Sequence, residues 1–461
     1  MTTGPAERAP VRLAEWSTAF VDGAELTDGD RRLAGALGSG DPRLIVEELR
    51  GGVRIVSRSW IGVVRFEAFE VTIEPKVAGG NLGVVHMLEY ASGLKALDRL
   101  VSDRTLRTAK SGRLADLLGQ LLAEATALIV RDGVLSDYVT REETLTTLRG
   151  RLRIDDQVRR RFLQVDRLDC RFDELETDIV ENQLLGAALA IARRVCRDEG
   201  VRRATSRYHA VMSEVCRPEA FEPAAAAIEL TYHRRNEHYR TAHELAWLFI
   251  GAVAVEDVLA PGTGRSYAFL LDMNLLFERF VTRLLADAFA ADAWAVRAQY
   301  RDQTLIVEEP LLRRYAAIVP DILLESVDPH GRRRVPVDAK YKLYDEGKLD
   351  PSDVYQTFFY AYAYARPVDR ERDQVRAFIV YPATSGGPGT RLLIRQETGA
   401  TSARIVALPL DIGAALAAIE GRGIGTLPMV ITLRSLLGDA KPPTSLARPS
   451  MPPFLPPAVL Q

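Results

Sequence analysis

The stretch PVDAKYK, residues 336–342, alternates apolar with charged side chains, and this alternation constrains the fold of the C-terminal half more than any other feature. Successive side chains of a β-strand point to opposite faces of a sheet. Asp338 and Lys340 therefore share one face of the predicted strand. Val337 and Ala339 face the opposite way and pack behind them. The stretch predicts a strand that presents an acid and a base together above an apolar core.

An aspartate on a second predicted strand completes a candidate metal site. The run IVPDILLES places Asp321 17 positions before Asp338. If the two strands are neighbours, the carboxylates converge, and at about 4–6 Å they repel each other unless a cation lies between them. Mg²⁺ favours carboxylate ligands, and Mn²⁺ is expected to substitute for it. Lys340 would lie beside the metal, where an ammonium orients the nucleophile or stabilises charge on a phosphate.

Residues on two flanking helices extend the candidate site. Glu278 lies on an amphipathic helix predicted over 270–290, either as an additional metal ligand or as a solvated surface residue. Gln356 and Tyr360, at positions i and i+4, share one face of a helix predicted over 353–365. The alternative interpretation of this face is a stripe of core aromatics. The order helix, strands, P-D strand, D-x-K strand and helix is typical of the PD-(D/E)xK nuclease core.

The composition excludes few classes of protein. Whether the chain binds nucleic acid depends on local clusters of charge and not on the total. The chain has 461 residues with 60 basic and 62 acidic side chains, a net charge of −2, which neither indicates nor excludes a nucleic-acid binder. No apolar run is long enough to cross a bilayer, the N-terminus lacks a signal-peptide pattern, and the three cysteines show no C-x-x-C spacing. These features predict a cytoplasmic protein without a membrane segment.

The pattern along the chain predicts an α+β multidomain protein. A β-rich N-terminal domain, with strands and turns over 13–80, precedes a helical middle region and a C-terminal α/β domain of the PD-(D/E)xK restriction-endonuclease-like type. The predicted segments are a disordered start at 1–12, a β-rich then helical N-terminal domain at 13–145, a helical middle region at 146–265, the nuclease domain at 266–440 and a Pro-rich disordered tail at 441–461.

The loop APGTGRS, residues 260–266, resembles the end of a nucleotide-binding P-loop but lacks two of its defining residues. Leu259 stands where the first glycine belongs, and Arg265 stands where the lysine belongs. Any nucleotide-driven motor that acts with this chain is therefore expected to be a separate protein.

Motifs spread over most of the chain carry a resemblance to a known family. Those in the first half are GVVRFEAFEVTIEPKV (62–77), YVTREETLTTLRGRLRI (138–154) and CRFDELETDIVENQLL (170–185). Those in the second half are FLLDMNLLFERFV (269–281), IVPDILL, VDAKYK and VYQTFFYAYAY. Together and in this order they resemble the McrC family, the nuclease subunits of McrBC-type systems that restrict DNA containing modified cytosine such as 5-methylcytosine.

The resemblance implies a Mg²⁺-dependent endonuclease that cleaves double-stranded DNA and leaves 5′-phosphate and 3′-hydroxyl ends. The catalytic residues that it implies are Asp321, Asp338, Lys340, Glu278 and Gln356. The metal ligands that it implies are Asp321, Asp338, the backbone carbonyl of Ala339 and, as a supporting candidate, Glu278.

The resemblance also implies a partner. The N-terminal part is expected to dock on a hexameric AAA+ motor of the McrB type, a GTPase in that family, and to stimulate it. The motor would recognise and translocate the modified DNA, in a system that serves anti-phage defence. Because nothing in this chain reads the motor's nucleotide, an ATP-using relative is an alternative.

Several residues near the candidate site are predicted to contact DNA. They are Arg332, Arg333, Arg334, Lys342 and Tyr360. A solvated turn is the alternative for the three arginines, and Lys342 is the alternative to Lys340 as the working base. The arginines between 149 and 161 either track a phosphate backbone or pair with acidic residues, and we favour the second interpretation.

Two other functions are compatible with the sequence. The first is a catalytically silent nuclease-like adaptor that only activates a AAA+ motor. The second is a stand-alone phosphodiesterase that acts on RNA or small nucleotides. The complete set of Asp321, Asp338 and Lys340 favours the nuclease over the adaptor.

Overall fold

The structure, a computed structural model, divides into two compact units. It describes residues 9–92, 112–161, 164, 166–252, 266–292, 294–309, 311–342, 348–384 and 389–438. The described residues of 9–92 and 266–438 form the first unit, and those of 112–252 form the second. The predicted Pro-rich tail at 441–461 and the P-loop-like loop up to Arg265 lie outside the described residues.

The N-terminal part of the first unit is mainly β-structure. Its strands are β1 (Ala9–Ala14), β2 (Thr18–Asp22), β3 (Leu44–Leu49), β4 (Gly52–Ser57), β5 (Trp60–Arg65) and β6 (Phe69–Glu74). Its helices are α1 (Asp28–Gly38) and α2 (Gly80–Ser92). Residues 9–12, which the sequence analysis assigned to a disordered start, belong to β1 and pair with β6.

Helix α1 corrects the interpretation of residues 13–80 as strands and turns only. Thr27 accepts a hydrogen bond from the Asp30 N–H while the Asp30 carboxylate accepts one from the Thr27 N–H, which is a complete capping box. Leu33 and Leu37, four residues apart on one face, are buried. The cap and the apolar spacing explain why this segment is helical within a β-rich region.

The second unit is mainly helical. Its helices are α3 (Leu114–Asp132), α4 (Ile154–Arg161), α5 (Val180–Val195), α6 (Glu199–Val215), α7 (Pro223–Glu229) and α8 (Arg240–Ala252). Its strands are β7 (Asp137–Leu145), β8 (Arg151–Leu152) and β9 (Leu168–Glu176), which form one sheet in the order β7-β9-β8. The predicted helical character of the middle of the chain is confirmed in this unit.

The C-terminal part of the first unit alternates strands and helices. Its strands are β10 (Tyr267–Asp272), β11 (Ala295–Ala298), β12 (Asp302–Glu308), β13 (Arg313–Ile318), β14 (Ile322–Asp328), β15 (Gly331–Ala339), β16 (Arg376–Ala383), β17 (Thr390–Arg395) and β18 (Thr401–Asp411). Its helices are α9 (Met273–Ala288), α10 (Pro351–Tyr364), α11 (Pro367–Glu371), α12 (Ile412–Glu420) and α13 (Pro428–Leu437).

Strand β10 joins the two parts of the first unit into one body. It pairs antiparallel with β5 and completes a sheet in the order β1-β6-β5-β10. Gly62 permits this pairing, because its φ is +135° and a Cβ at this position would lie 2.1 Å from the Phe269 carbonyl oxygen. The sequence analysis assigned 13–145 and 266–440 to separate domains. The shared sheet is the reason that residues of both segments form one compact unit instead.

A six-stranded sheet in the order β11-β14-β15-β16-β18-β17 carries the candidate site. Strand β15 runs antiparallel to β14 and parallel to β16. Val337, Phe378 and Ile405 on its three central strands have no exposed surface. Full burial of such a side chain contributes about 1.5–3 kcal/mol. The sheet is therefore a firmly packed platform for the polar groups at the ends of β14 and β15.

The structure is consistent with the predicted α+β class. No helix among the described residues combines the length and apolar character that crossing a bilayer requires. All three cysteines are buried, and none is in a disulfide.

Candidate active site

The pairing of β14 with β15 brings Asp321 next to Asp338. Ile322 lies opposite Val337 in the antiparallel register, and Asp321 immediately precedes β14. The Ala339 N–H donates a hydrogen bond of 2.9 Å to Oδ2 of Asp321. Pro320 and Asp321 thus lie in the short link between β13 and β14, whereas the sequence analysis placed Asp321 on a strand. The expected convergence of the two carboxylates is present.

Asp338 is a buried carboxylate without hydrogen bonds. Its exposed fraction is 1%, and neither Oδ1 nor Oδ2 has a hydrogen-bond partner among the described residues. Among the described residues it forms an ion pair with Lys340, whose Nζ lies 3.0 Å from Oδ2. Burial, together with the negative charges of Asp338 and Glu278, raises the pKa of Asp321 well above its usual range. A pair of buried carboxylates in this state attracts a cation.

Lys340 is held between Asp338 and helix α10. Its Nζ donates to Oε1 of Gln356 at 3.2 Å, and the Gln356 amide donates in turn to the Tyr360 hydroxyl at 2.9 Å. Burial lowers the pKa of Lys340, but the carboxylates of Asp338 and Asp321 outweigh burial, so that the pKa is raised. Lys340 therefore carries its proton in this arrangement and acts as a hydrogen-bond donor and positive charge.

Tyr360 connects this network back to the strand that bears Asp321. Its hydroxyl donates to the carbonyl of Val319 at 3.3 Å, and its ring is largely buried against Ile318 and Leu323. Tyr360 is therefore a core residue, as the alternative interpretation had it, and it also forms a polar contact with Gln356, whose role in the site stays a prediction.

Glu278 lies at the edge of the site, and a residue that the sequence analysis missed holds it there. The side-chain amide of Gln299 donates to Oε1 of Glu278 at 2.9 Å, and the Gln299 N–H donates to the Asp321 carbonyl at 2.8 Å. Gln299 has a φ of +42°, an uncommon conformation for a residue other than glycine. Burial, with the negative charge of Asp338 in addition, raises the pKa of Glu278. No sequence motif marks Gln299.

A second missed residue, Glu15, contacts the segment that follows β15 from the opposite face. The Tyr341 hydroxyl donates to Oε2 of Glu15 at 2.9 Å, and the Lys76 N–H donates to the same oxygen at 2.8 Å. Glu15 has no exposed surface, and burial raises its pKa to about 7. The Ile73-Glu74-Pro75-Lys76 element of the sequence ends at this contact.

Like Tyr360, the other predicted DNA-contacting residues have partners within the chain. Lys342 lies 2.7 Å from Oδ2 of Asp353, in the first turn of α10. Arg332 pairs with the buried Glu325 at 2.9 Å, and Arg334 pairs with the same carboxylate at 3.6 Å. Arg333 donates to the Leu437 carbonyl and stacks on Trp294. These contacts leave Arg332 the most exposed of the three arginines, and DNA contact by all of them stays a prediction.

The residues present fit a divalent metal ion. No group of three or more His, Cys, Asp or Glu side chains within the described ranges is arranged to hold one. The available donor set is instead the carboxylates of Asp321 and Asp338 with the backbone carbonyl of Ala339. Mg²⁺ is commonly held by one or two carboxylates plus waters and substrate phosphates. The two oxygens of Asp338 that lack hydrogen bonds are what such an ion requires.

The arrangement offers two negative groups for a cation and one ammonium for an anion, side by side. This combination is suited to phosphoryl chemistry, where a metal and a lysine neutralise charge on the same phosphate. His, Cys and Ser side chains take no part in the network described above. The network therefore offers no serine, cysteine or histidine nucleophile.

Comparisons with known proteins identify the family to which the chain belongs. The family model described as "McrBC 5-methylcytosine restriction system component" matches residues 55–382. None of the curated proteins matches the chain.

Two solved structures from Thermococcus gammatolerans are similar to the chain. One is a refined half-complex from a tetradecameric assembly of McrB AAA+ hexamers with bound McrC. The likeness has a TM-score of 0.55 at 18% identity and covers 92% of this chain and 100% of that chain. The other is a cryo-EM structure of the McrBC complex, with a TM-score of 0.42 at 22% identity, covering 61% of this chain and 88% of that chain. The first likeness shows a shared fold. Since the family model covers more than half of the chain, the chain belongs to the family of McrBC 5-methylcytosine restriction system components, as its McrC-like motifs predicted.

Proposed function

We propose that this chain is the nuclease subunit of a modification-dependent restriction system, a Mg²⁺-dependent DNA endonuclease. The observation that carries the proposal is the pair of Asp338 and Lys340. A buried carboxylate whose oxygens lack hydrogen bonds lies 3.0 Å from a lysine ammonium and beside Asp321. A buried acid that is paired, among the described residues, with this single ammonium is costly for a fold, and a role in catalysis accounts for it.

The residues of the chain have distinct roles in this proposal. Asp321, Asp338 and the Ala339 carbonyl would hold Mg²⁺, or Mn²⁺ in its place. When bound, the ion supplies Lewis-acid activation of the scissile phosphate and of water. Lys340, protonated and oriented by Gln356, donates to a phosphoryl oxygen and stabilises the charge that develops there. Tyr360 keeps Gln356 in place, and Glu278 adds negative charge at the edge of the site.

The partner is proposed from the family and from the similar structure. That structure contains McrB AAA+ hexamers with bound McrC. We propose that a McrB-like hexameric AAA+ GTPase binds this chain, is stimulated by it, and recognises DNA that contains 5-methylcytosine. The complex would cleave the double-stranded DNA that the motor delivers, in the cytoplasm.

Plasmid cleavage tests the proposal. Wild-type protein with its genomically adjacent AAA+ partner, nucleotide and Mg²⁺ is compared with Asp338→Asn and Lys340→Ala. Lys348→Ala, which changes an exposed lysine outside the site, is the matched control. We expect cleavage by the wild type and the control, and a loss of at least about 100-fold in both site variants with stimulation of the motor retained. Equal cleavage by all four proteins would refute the site. An absence of cleavage by the wild type, with the motor still stimulated, would indicate the adaptor.

A further inference from the structure

A groove between helices α5 and α6 is lined almost entirely by arginine. Its volume is about 490 Å³, and it lies wholly within the second unit. Its lining residues, called the arginine groove below, are Arg193, Arg194, Arg202, Arg203, Ser206 and Arg207. This groove is separate from the candidate active site in sequence and takes no part in the contacts described there.

The arginines of the groove are largely without acidic partners. Arg193, Arg202 and Arg207 are exposed, and within the described ranges none of them forms an ion pair with an acidic side chain. Arg203 reaches Glu199 only at 3.9 Å, and both side chains are more than 70% exposed. An ion pair of this kind contributes little. Arg193, Arg202 and Arg207 therefore form a patch of positive charge that no acidic side chain of the described residues neutralises.

The arginines between 149 and 161 provide a contrast within the same unit. Arg149 pairs with Glu174 at 3.0 Å, Arg153 with Glu142 at 2.9 Å, and Arg161 with Asp169 at 3.1 Å. Those arginines follow the acid-pairing interpretation that the sequence analysis favoured. Four of the six arginines in that segment are paired with acids, whereas Arg193, Arg202 and Arg207 of the groove form no ion pair with a described acidic side chain.

The helices themselves do not account for the whole cluster. Arg193 and Arg194 occupy the last turn of α5, where a cation favours the helix dipole. The helix dipole does not favour Arg203 and Arg207 in this way. As like charges at positions i and i+4, they destabilise α6. The pKa of His209 is lowered, mainly by burial. The positive charge of Arg193 lowers it further. A bound anion would remove this repulsion between like charges, which gives a reason for the arginines to be present.

The chemistry of the lining points to phosphate rather than to a protein surface. Protein interfaces have an apolar core with a polar rim. No exposed large apolar side chain of the described residues belongs to α5 or α6. Guanidinium groups bind phosphate oxygens in bidentate fashion, and several along one groove match a chain of phosphates.

We propose that the arginine groove binds the phosphate backbone of duplex DNA. The site holds the nucleic acid and makes no contact to bases, so binding there is independent of sequence and falls as salt rises. The proposal concerns binding and goes beyond cleavage at Asp338. Its failure and the failure of the nuclease proposal are therefore distinguishable.

Binding of the full-length chain to a fluorescein-labelled duplex, in chelator, tests the groove. The triple variant Arg193→Gln, Arg202→Gln, Arg207→Gln removes three unpaired charges from it. The matched control is Arg32→Gln, Arg50→Gln, Arg391→Gln, which removes three exposed arginine charges from the first unit, none of them in an ion pair with another described residue. Fluorescence anisotropy across a salt titration gives the affinity and its salt slope. Circular dichroism of each variant verifies that the helices are retained.

We expect the groove variant to bind at least about tenfold more weakly than the wild type and to lose about 2–3 from the slope of log affinity against log salt. The control should retain the wild-type slope. Equal losses in both triple variants would overturn the proposal, because they would reflect net charge alone. An absence of DNA binding by the wild type would also overturn it. Wild-type DNA binding in the groove variant, with binding of the AAA+ partner lost, would make the groove a protein-docking surface instead.

Discussion

The side-chain amide of Gln299 donates a hydrogen bond of 2.9 Å to Oε1 of Glu278. The main chain of the same glutamine donates to the Asp321 carbonyl, so one residue joins the helix of Glu278 to the strand of Asp321. It does so with a backbone φ of +42°. Glycine adopts this conformation at little cost, whereas other residues are strained by about 1 kcal/mol.

Two replacements of Gln299 distinguish the contribution of its strained backbone from that of its side chain. Gln299→Ala and Gln299→Gly both remove the contact to Glu278, but only the glycine relieves the backbone. We expect the glycine variant to be more stable than the alanine variant by about 1 kcal/mol in urea unfolding. Both should lose a similar fraction of cleavage activity. Equal stability of the two variants would contradict the strained backbone.

Lys340 and Lys342 are two residues apart and contact different acids. Lys340 lies against Asp338, and Lys342 lies against Asp353 in the first turn of α10. We therefore expect Lys340→Ala to reduce the rate of DNA cleavage at least about 100-fold and Lys342→Ala to reduce it less than about threefold. The rates are measured under single-turnover conditions with the AAA+ partner present. A larger loss in Lys342→Ala would make Lys342 the working lysine.

A metal bound by Asp338 should stabilise the protein in the absence of DNA. A ligand that binds only the folded state raises its stability, by about 1–3 kcal/mol once the ligand well exceeds its dissociation constant. Mg²⁺ is therefore expected to raise the Tm of the wild type relative to chelator. Asp338→Asn should lose this shift, and Asp350→Asn, at an exposed acid in an ion pair with Lys342, should retain it. The same shift in all three proteins would place the ion elsewhere.

Glu15 should make stability depend on pH. Burial raises its pKa from 4.5 to about 7, so the folded state binds a proton that the unfolded state releases. The stability that this proton contributes is fully present below about pH 4.5 and is lost as pH rises through about 7, a change of about 3 kcal/mol at most.

The matched variant is Glu15→Gln, which keeps the shape of the side chain and cannot ionise. Between about pH 5 and about pH 9, its free energy of unfolding should fall less steeply than that of the wild type. Glu25→Gln, at an exposed site, should follow the wild type. Parallel curves for the wild type and Glu15→Gln would mean that Glu15 does not titrate in this range.

Gly62 should be intolerant of a side chain. A Cβ there would lie 2.1 Å from the Phe269 carbonyl oxygen, and its φ of +135° is unfavourable for any other residue. We expect Gly62→Ala to destabilise the first unit by at least about 3 kcal/mol in urea unfolding. Gly35→Ala, on an open face of α1 where no atom lies within 4 Å, should instead stabilise by about 0.5–1 kcal/mol. Similar effects of the two changes would contradict the pairing of β5 with β10.

The parts of the site that sequence could predict are those encoded by local pattern. Alternation in PVDAKYK predicted a strand, and the β14–β15 pairing follows from two neighbouring strands of that kind. The interval of four residues between Gln356 and Tyr360 predicted their shared helix face, and a hydrogen bond of 2.9 Å joins them. Each of these relations depends on residues close together in the chain.

The parts that sequence missed depend on distant residues or on ambiguous apolar runs. Glu15 meets Tyr341 across most of the chain, and no local pattern encodes that contact. The predicted helix over 270–290 begins at Met273, because Tyr267–Asp272 is strand β10. A short apolar run suits a buried strand as well as a helix. Asp272, which caps α9 through the Asn274 N–H, was the available signal for the boundary.

The pairing of β5 with β10 sets the order in which this chain can mature on the ribosome. Strand β10, the partner of β5, is synthesised only after residues 112–252. The β5 edge of the N-terminal sheet therefore stays unpaired while the second unit is synthesised. Unpaired strand edges are the places where nascent chains aggregate. The Asp338 strand and helix α10 come later still. A chain that ends before β14 therefore lacks Asp338, Lys340 and Gln356, and such an incomplete translation product would not carry the proposed nuclease site.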